Sequence, residues 1–129
     1  MDSIRVSIII PCYNHGEFLK EAIDSTGIDA NEFCEVIIVN DGSTDELTLK
    51  IFDGISGERI RVIHQENKGV SAARNQGMNV AKGDFILLLD ADNTIDPDYY
   101  NKAIQVFDSQ PEISIIYSNY FKFVVGLDE

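Results

Sequence analysis

Two aspartates one residue apart, Asp90 and Asp92, follow a continuous apolar run from Phe85 to Leu89. If the backbone stays extended through them, positions i and i+2 face one side and the two carboxylates lie close together. Like charges in a partly desolvated place drive one group towards protonation, and a divalent cation removes that conflict. Carboxylate oxygens are hard ligands suited to Mn²⁺ or Mg²⁺. Two carboxylates leave an octahedral shell unfilled, so water and a ligand's phosphates would complete it. An Asp-x-Asp triplet alone is a common surface turn; its position after a strand-like run is what gives it weight.

Other chemistry follows other apolar runs. Pro11, Cys12, Tyr13 and Asn14 come after Val6 to Ile10, and Asn40, Asp41, Gly42 and Ser43 come after Val36 to Val39. The Asp41 carboxylate is able to accept a hydrogen bond from a base, although Asp41-Gly42-Ser43 is also good turn chemistry. Tyr13 offers a flat, low-entropy stacking surface, or ordinary loop packing. Between Gln65 and Gly77, Gly69 and Ser71 suit a turn with anion contacts at a helix start. Arg74, one of few cations there, suits either a phosphate or an acidic neighbour. His15 and His64 have no partner pattern for nucleophilic or metal work and take no role.

The elements that must position these residues are legible as periodicity. The runs at 6–10, 36–39, 85–89 and 113–117, with a weaker one at 60–63, are mostly continuous rather than alternating. Strands covered on both faces read this way, and such strands are usually parallel. Helical spacing links Phe18, Leu19, Ala22 and Ile23, then Leu47, Leu49, Ile51 and Phe52, with Ser43 and Glu46 as a capping box. A third helix spans Ala72 to Ala81 with Gly83 as its stop, and a fourth starts at Asp96-Pro97 and reaches about Phe107. The second run begins about 30 residues after the first, which is βαβ spacing. The expected fold is α/β: one open, mostly parallel sheet with helices on both faces and ligands beyond the carboxyl ends of the strands.

The totals set bounds. A chain of 129 residues suits one domain, and folding at this size buries about two-thirds of the unfolded surface, enough for a core without disulfides. Twenty-two acidic against 10 basic residues give a net charge of −12. That field repels nucleic acid, and it makes an anionic ligand hard to hold unless a cation mediates. Cys12 and Cys34 stand too far apart for a C-x-x-C motif and read as free thiols. No signal peptide opens the chain, and no apolar run approaches the roughly 20 residues needed to span a bilayer; a cytoplasmic location is expected.

Absences narrow the choice further. There is no G-x-G-x-x-G, no G-x-x-x-x-G-K-[ST] and no G-x-S-x-G. A receiver domain of a response regulator would need acids after the first strand and a phosphorylatable Asp after the third. Pro11 to Asn14 and His64-Gln65-Glu66 stand in those places. A sugar-phosphate nucleotidyltransferase would need a Gly- and Arg-rich loop after the first strand, which is missing. A metal-dependent nucleotide-binding module without transfer activity shares the same site and stays open.

In order along the chain, VSIIIPCYN at 6–14, EVIIVNDGSTDE at 35–46, NKGVSAARNQGMNVAKGDFILLLDADN at 67–93 and the helix from Pro97 resemble the family 2 glycosyltransferases of the GT-A fold. The resemblance covers nearly the whole chain. It implies a Rossmann-like nucleotide-diphospho-sugar transferase sheet. Pro11, Tyr13 and Asn14 would line a nucleotide pocket, Asp41 would hydrogen-bond the base, commonly uracil, and Arg74 would lie near the nucleotide. Asp90 would meet ribose or metal, and Asp92 would coordinate Mn²⁺ or Mg²⁺ on the diphosphate. The implied partners are a nucleotide-sugar donor and a saccharide or lipid-linked acceptor, as in cell-envelope polysaccharide synthesis, with membrane association in a full-length protein. In the family, the general base that inversion requires lies well beyond the Asp-x-Asp motif. No later acidic motif has a counterpart here, so residues 1–129 read as one truncated donor-binding domain without its acceptor region.

Overall fold

The computed structural model describes residues 3–116. Strand and helix alternate: β1 (Val6–Cys12), α1 (Gly16–Ser25), a 3₁₀ turn (Ile28–Ala30), β2 (Cys34–Asp41), α2 (Glu46–Gly54), β3 (Ile60–Gln65), α3 (Val70–Val80), β4 (Phe85–Leu88) and α4 (Pro97–Ser109). The four strands form one parallel sheet in the order β3-β2-β1-β4. The chain steps outward from β1 to β3 on one side and resumes with β4 on the other. β1 and β4 therefore flank the switch point where open α/β sheets place their ligands. A receiver-type sheet runs 2-1-3-4-5, so the strand order excludes that reading independently of the missing acids.

Burial follows position in the sheet. Every residue of β1 and β2 is buried, as continuous apolar runs on central strands require. Ile9, Ile37 and Val39 pack with Ala73 under α3. Ile8, Ile10, Val36 and Ile38 face Leu19 of α1, Phe52 of α2 and Tyr100 of α4. Helices thus cover both faces, as expected. The edge strand β4 departs from expectation: its run is continuous in sequence, yet Ile86 and Leu88 are 40% and 46% exposed, because α3 packs on β1 and β2 and leaves that face of β4 uncovered. The apolar run at 113–117 forms no strand over 113–116, and Tyr117 lies outside the described residues.

Local chemistry corrects three boundaries. β1 continues through Pro11 to Cys12 rather than ending at Ile10. Pro11 shares the parity of Ile9, whose carbonyl accepts from Leu89 N on the β4 side. Because β4 stops at Leu88, the missing proline N–H removes no ladder bond. The cap of α2 is Asp45, whose carboxylate accepts from Thr48 N at 3.0 Å, and not Ser43, which is committed elsewhere. Gly83 does not stop α3, which ends against Ala81 in extended conformation. At α4 the expected start holds: Asp96 accepts from Asp98 N and Pro97 occupies the first turn.

Candidate functional site

The loops that follow β1 and β2 are stitched together by Asn14. This residue adopts φ 57°, a left-handed conformation that Asn tolerates better than most. Its Oδ1 accepts from Thr44 N at 2.8 Å and Asp45 N at 3.0 Å, and its Nδ2 donates to Thr44 Oγ1 at 3.3 Å. Its own amide donates to Ser43 Oγ at 3.0 Å. Ser43 N in turn donates to Asn40 Oδ1 at 2.8 Å. The side chain of Asn14 is thus engaged in holding two loops in register. Tyr13, just before it, is 46% exposed and presents its ring to solvent, while Pro11 is buried beneath.

Asp41 ends β2 and is 4% exposed. Its Oδ1 accepts from Gln65 Nε2 at 2.8 Å and Lys68 N at 2.8 Å, and its Oδ2 from Gly69 N at 3.0 Å. Gly69 caps the N-terminus of α3, so the anion at that helix start is the protein's own carboxylate. Burial alone would raise the Asp41 pKa, but the three donors outweigh it and hold the carboxyl below its ordinary value. Gly42 next to it has φ 73°, and a Cβ there would lie 2.5 Å from Asn67 N; only glycine lets the β3–α3 loop approach this closely.

Beyond β4 the backbone does not stay extended. Asn93 N donates to Asp90 O at 3.0 Å, making residues 90–93 a turn, with Ala91 buried and Asp92 exposed. The two carboxylates therefore do not share a face in the manner an extended strand would impose. Asp90 is instead paired with Arg74 of α3, Nη2 to Oδ1 at 2.9 Å, with the two side chains 33% and 48% exposed respectively. The sequence left Arg74 open between phosphate and acid, and in this structure it meets the acid. Its Nε is buried with no acceptor among the described residues. Asp92 enters no ion pair among the described residues.

A divalent ion fits this arrangement only with help. Among the described residues no three His, Cys, Asp or Glu side chains converge on a metal-sized site. Asp92 and Asp90 would supply at most two carboxylates, the number Mg²⁺ usually takes when phosphates complete the shell. Two concavities among the described residues lie elsewhere, one near Arg5, Asp29 and Phe33 and an apolar one between β4 and α4. Neither gathers the polar strand ends.

Sequence reasoning missed Gln65, Lys68 and Gly69 as partners of Asp41, because a carboxylate's donors across a sheet are not encoded in local spacing. It noted Asn40 at the strand end but not its partner: Asn40 Nδ2 lies 3.0 Å from His64 Nδ1. His64 also packs edge-on against Phe52. Cys12 and Cys34 are free and buried; desolvation pushes the Cys34 thiol up to about 11. Among the described residues no helix is long and apolar enough to cross a membrane.

Known proteins share this architecture. Glycosyltransferase GlyG of Streptococcus pneumoniae is 33% identical over 121 residues, covering 92% of this chain and 40% of that protein. Glycosyltransferase GlyA of the same organism is 34% identical over 92% of this chain and 17% of its own length. The chain thus spans less than half the length of these curated relatives. Among solved structures, S. aureus TarS 1–349 in complex with UDP-GlcNAc superposes with a TM-score of 0.72 at 28% identity, over 84% of this chain and 32% of that one. A mannosyltransferase from Pyrobaculum calidifontis in complex with GDP-Man and Mn²⁺ has a TM-score of 0.68 at 22% identity, over 83% of this chain and 33% of that one, and bears on the fold alone. The sheet is that of the GT-A glycosyltransferases. The family model described as glycosyl transferase family 2 matches residues 7–128, and the chain belongs to that family.

Proposed function

We propose that this chain is the donor-binding part of an inverting glycosyltransferase and that it binds a nucleoside-diphosphate sugar, uridine-linked by preference. The observation that carries the reading is the arrangement at the switch point. Asp90, paired with Arg74 of α3, and the uncommitted Asp92 lie beyond β4, while Tyr13 follows β1 and Asp41 ends β2. A carboxylate has about four acceptor sites, and Asp41 uses three, leaving one on Oδ2 for an N–H of a base. Pro11 and the Tyr13 ring flank that base, Asn14 fixes the loop that carries them, and Arg74 turns towards the phosphates. Asp92, with Asp90, holds Mn²⁺ or Mg²⁺ together with the diphosphate. When bound, such an ion neutralises charge developing on the departing nucleoside diphosphate. TarS, which carries UDP-GlcNAc in its complex, supports the uridine preference. In this reading the base that deprotonates the saccharide or lipid-linked acceptor belongs to an acceptor-binding region outside residues 1–129.

Thermal unfolding with UDP, GDP and MnCl₂ tests it. Ligand at 100 times its dissociation constant adds about 2.7 kcal/mol, a rise of roughly 10 °C at this size. Asp92→Asn should remove the Mn²⁺-dependent part of that rise. A variant that still responds fully to UDP with Mn²⁺ would sink the metal assignment, and a wild-type chain indifferent to every nucleotide would sink the reading itself.

A further inference from the structure

The turn between α3 and β4, residues 81–84, lies at the amino-terminal end of the sheet, opposite the strand ends just described. There Glu35, 6% exposed, has no part in the nucleotide reading. Its Oε2 accepts from Ser7 Oγ at 2.6 Å and from Lys82 N at 2.7 Å. Ser7 Oγ, its proton directed at Glu35, accepts from Gly83 N at 2.8 Å. Ser7 and Glu35 are register partners on β1 and β2. A Cβ on Gly83 would lie 2.7 Å from Ser7 Oγ and 2.8 Å from Ser7 N, so the turn rests directly on the β1 backbone.

Burying a carboxylate is costly unless its oxygens are well bonded, and a neutral core would hold two strands together without that cost. What the carboxylate does supply is a fixed acceptor for two consecutive residues of the turn, Lys82 directly and Gly83 through Ser7. The consequence travels along β4. This strand has four residues and pairs only with β1, from Val6↔Phe85 to Ile9↔Leu88. A slip of one residue would reverse the face of every side chain on it and displace Asp90 from Arg74. The clasp acts at the strand's entry together with the Arg5–Asp84 ion pair at 2.8 Å and the stacking of Phe85 on Phe107.

We infer that Glu35 and Ser7 are positioning residues for the phosphate half of the site. By clasping Lys82 and Gly83 they fix the turn that enters β4 and help set its register, and so help place Asp90 and Asp92 relative to Tyr13 and Asp41. The functional consequence rests on the nucleotide-binding reading above. The base half, on β1 and β2, does not depend on this turn.

NMR titrations of the 129-residue chain with uridine, and with UDP plus Mg²⁺, separate the two halves, and amide exchange over residues 85–92 reads β4 without any ligand. Glu35→Ala and Ser7→Ala should leave uridine affinity within about twofold and lower UDP–Mg²⁺ affinity by about tenfold or more. Glu35→Gln, whose amide oxygen still accepts both hydrogen bonds, should recover most of the loss. Equal losses for both ligands, or none, would overturn the inference. If Glu35→Ala does not fold, Ser7→Ala decides. If the wild-type chain binds neither ligand, the nucleotide reading fails, and exchange alone judges the clasp: faster exchange across 85–92 in the folded variants upholds it, and unchanged exchange refutes it.

Discussion

Asp41 Oδ2 accepts a 3.0 Å hydrogen bond from the amide of Gly69, so the carboxylate that ends β2 also seats the first turn of α3. One residue thereby joins the end of β2 to the helix that carries Arg74. The group assigned to ligand recognition is at the same time part of the scaffold, and substitutions there should report on both.

Asp41→Asn should therefore lower stability even without ligand. An amide cannot accept from all three donors, and hydrogen bonds to a charged group are worth about 1.5–3 kcal/mol each. A loss of about 2 kcal/mol at pH 7 is expected by urea denaturation. The pH dependence has a definite sign. Because the folded carboxyl titrates below its ordinary value, its stabilisation is complete above the unfolded pKa of about 3.9. It is lost as pH falls through the lower folded value. Wild type and Asp41→Asn should converge in stability towards low pH. A gap that persists undiminished there would refute the assignment.

Asn14 makes a second, purely conformational prediction. Its left-handed φ suits glycine and penalises alanine by about 1–2 kcal/mol. Both Asn14→Gly and Asn14→Ala lose the bonds to Thr44 and Asp45. Asn14→Ala should therefore be the less stable by about 1 kcal/mol. Equal stabilities would mean that the backbone relaxes out of the left-handed region.

The thiols supply a third. Cys34 is fully buried and its thiol is pushed up to about 11 by desolvation; Cys12 is 2% exposed and raised for the same reason. Since the thiolate is the reactive form, an aromatic disulfide reagent at pH 8 should label neither in the native protein and both in guanidinium chloride. Rapid native labelling of Cys34 would show that β2 opens locally at its amino-terminal end.

Much of this was written in the sequence, and what was not has a physical reason. Continuous apolar runs fixed β1 and β2 as central strands because both faces of a central strand are covered. The same signal misled at β4, where a run from Phe85 to Leu89 sits at an edge with Ile86 and Leu88 exposed. Composition reports what a strand is able to bury, not which neighbour is present to cover it. Asp90, Asp92, Asp41 and Tyr13 stand out in the sequence because each follows an apolar run, and strand ends are local facts. The turn at 90–93, the Arg74–Asp90 pair and the three donors on Asp41 depend on which segments the topology brings together. The Ser7–Glu35 clasp was invisible for the same reason: two polar residues in buried strands look like exceptions until the turn they hold is in place.

The Arg74–Asp90 pair yields the last prediction, and it separates folding from function. Both side chains are partly exposed, so solvent screens the attraction, and a double-mutant cycle in stability should give about 0.2–1 kcal/mol, shrinking as salt is added. On stability grounds the pair is dispensable. In the donor-binding reading it is not: Asp90 holds the guanidinium beside the phosphates, and the guanidinium holds Asp90 beside the metal. Arg74→Ala and Asp90→Ala should each reduce UDP–Mn²⁺ affinity by about tenfold or more, a loss of about 1.4 kcal/mol. The double variant should lose much less than the sum, because residues in one network are not additive. Calorimetric titration of the four proteins measures the cycle. Strong coupling in folding with none in binding would make the pair a structural bridge and move the diphosphate elsewhere on the sheet edge.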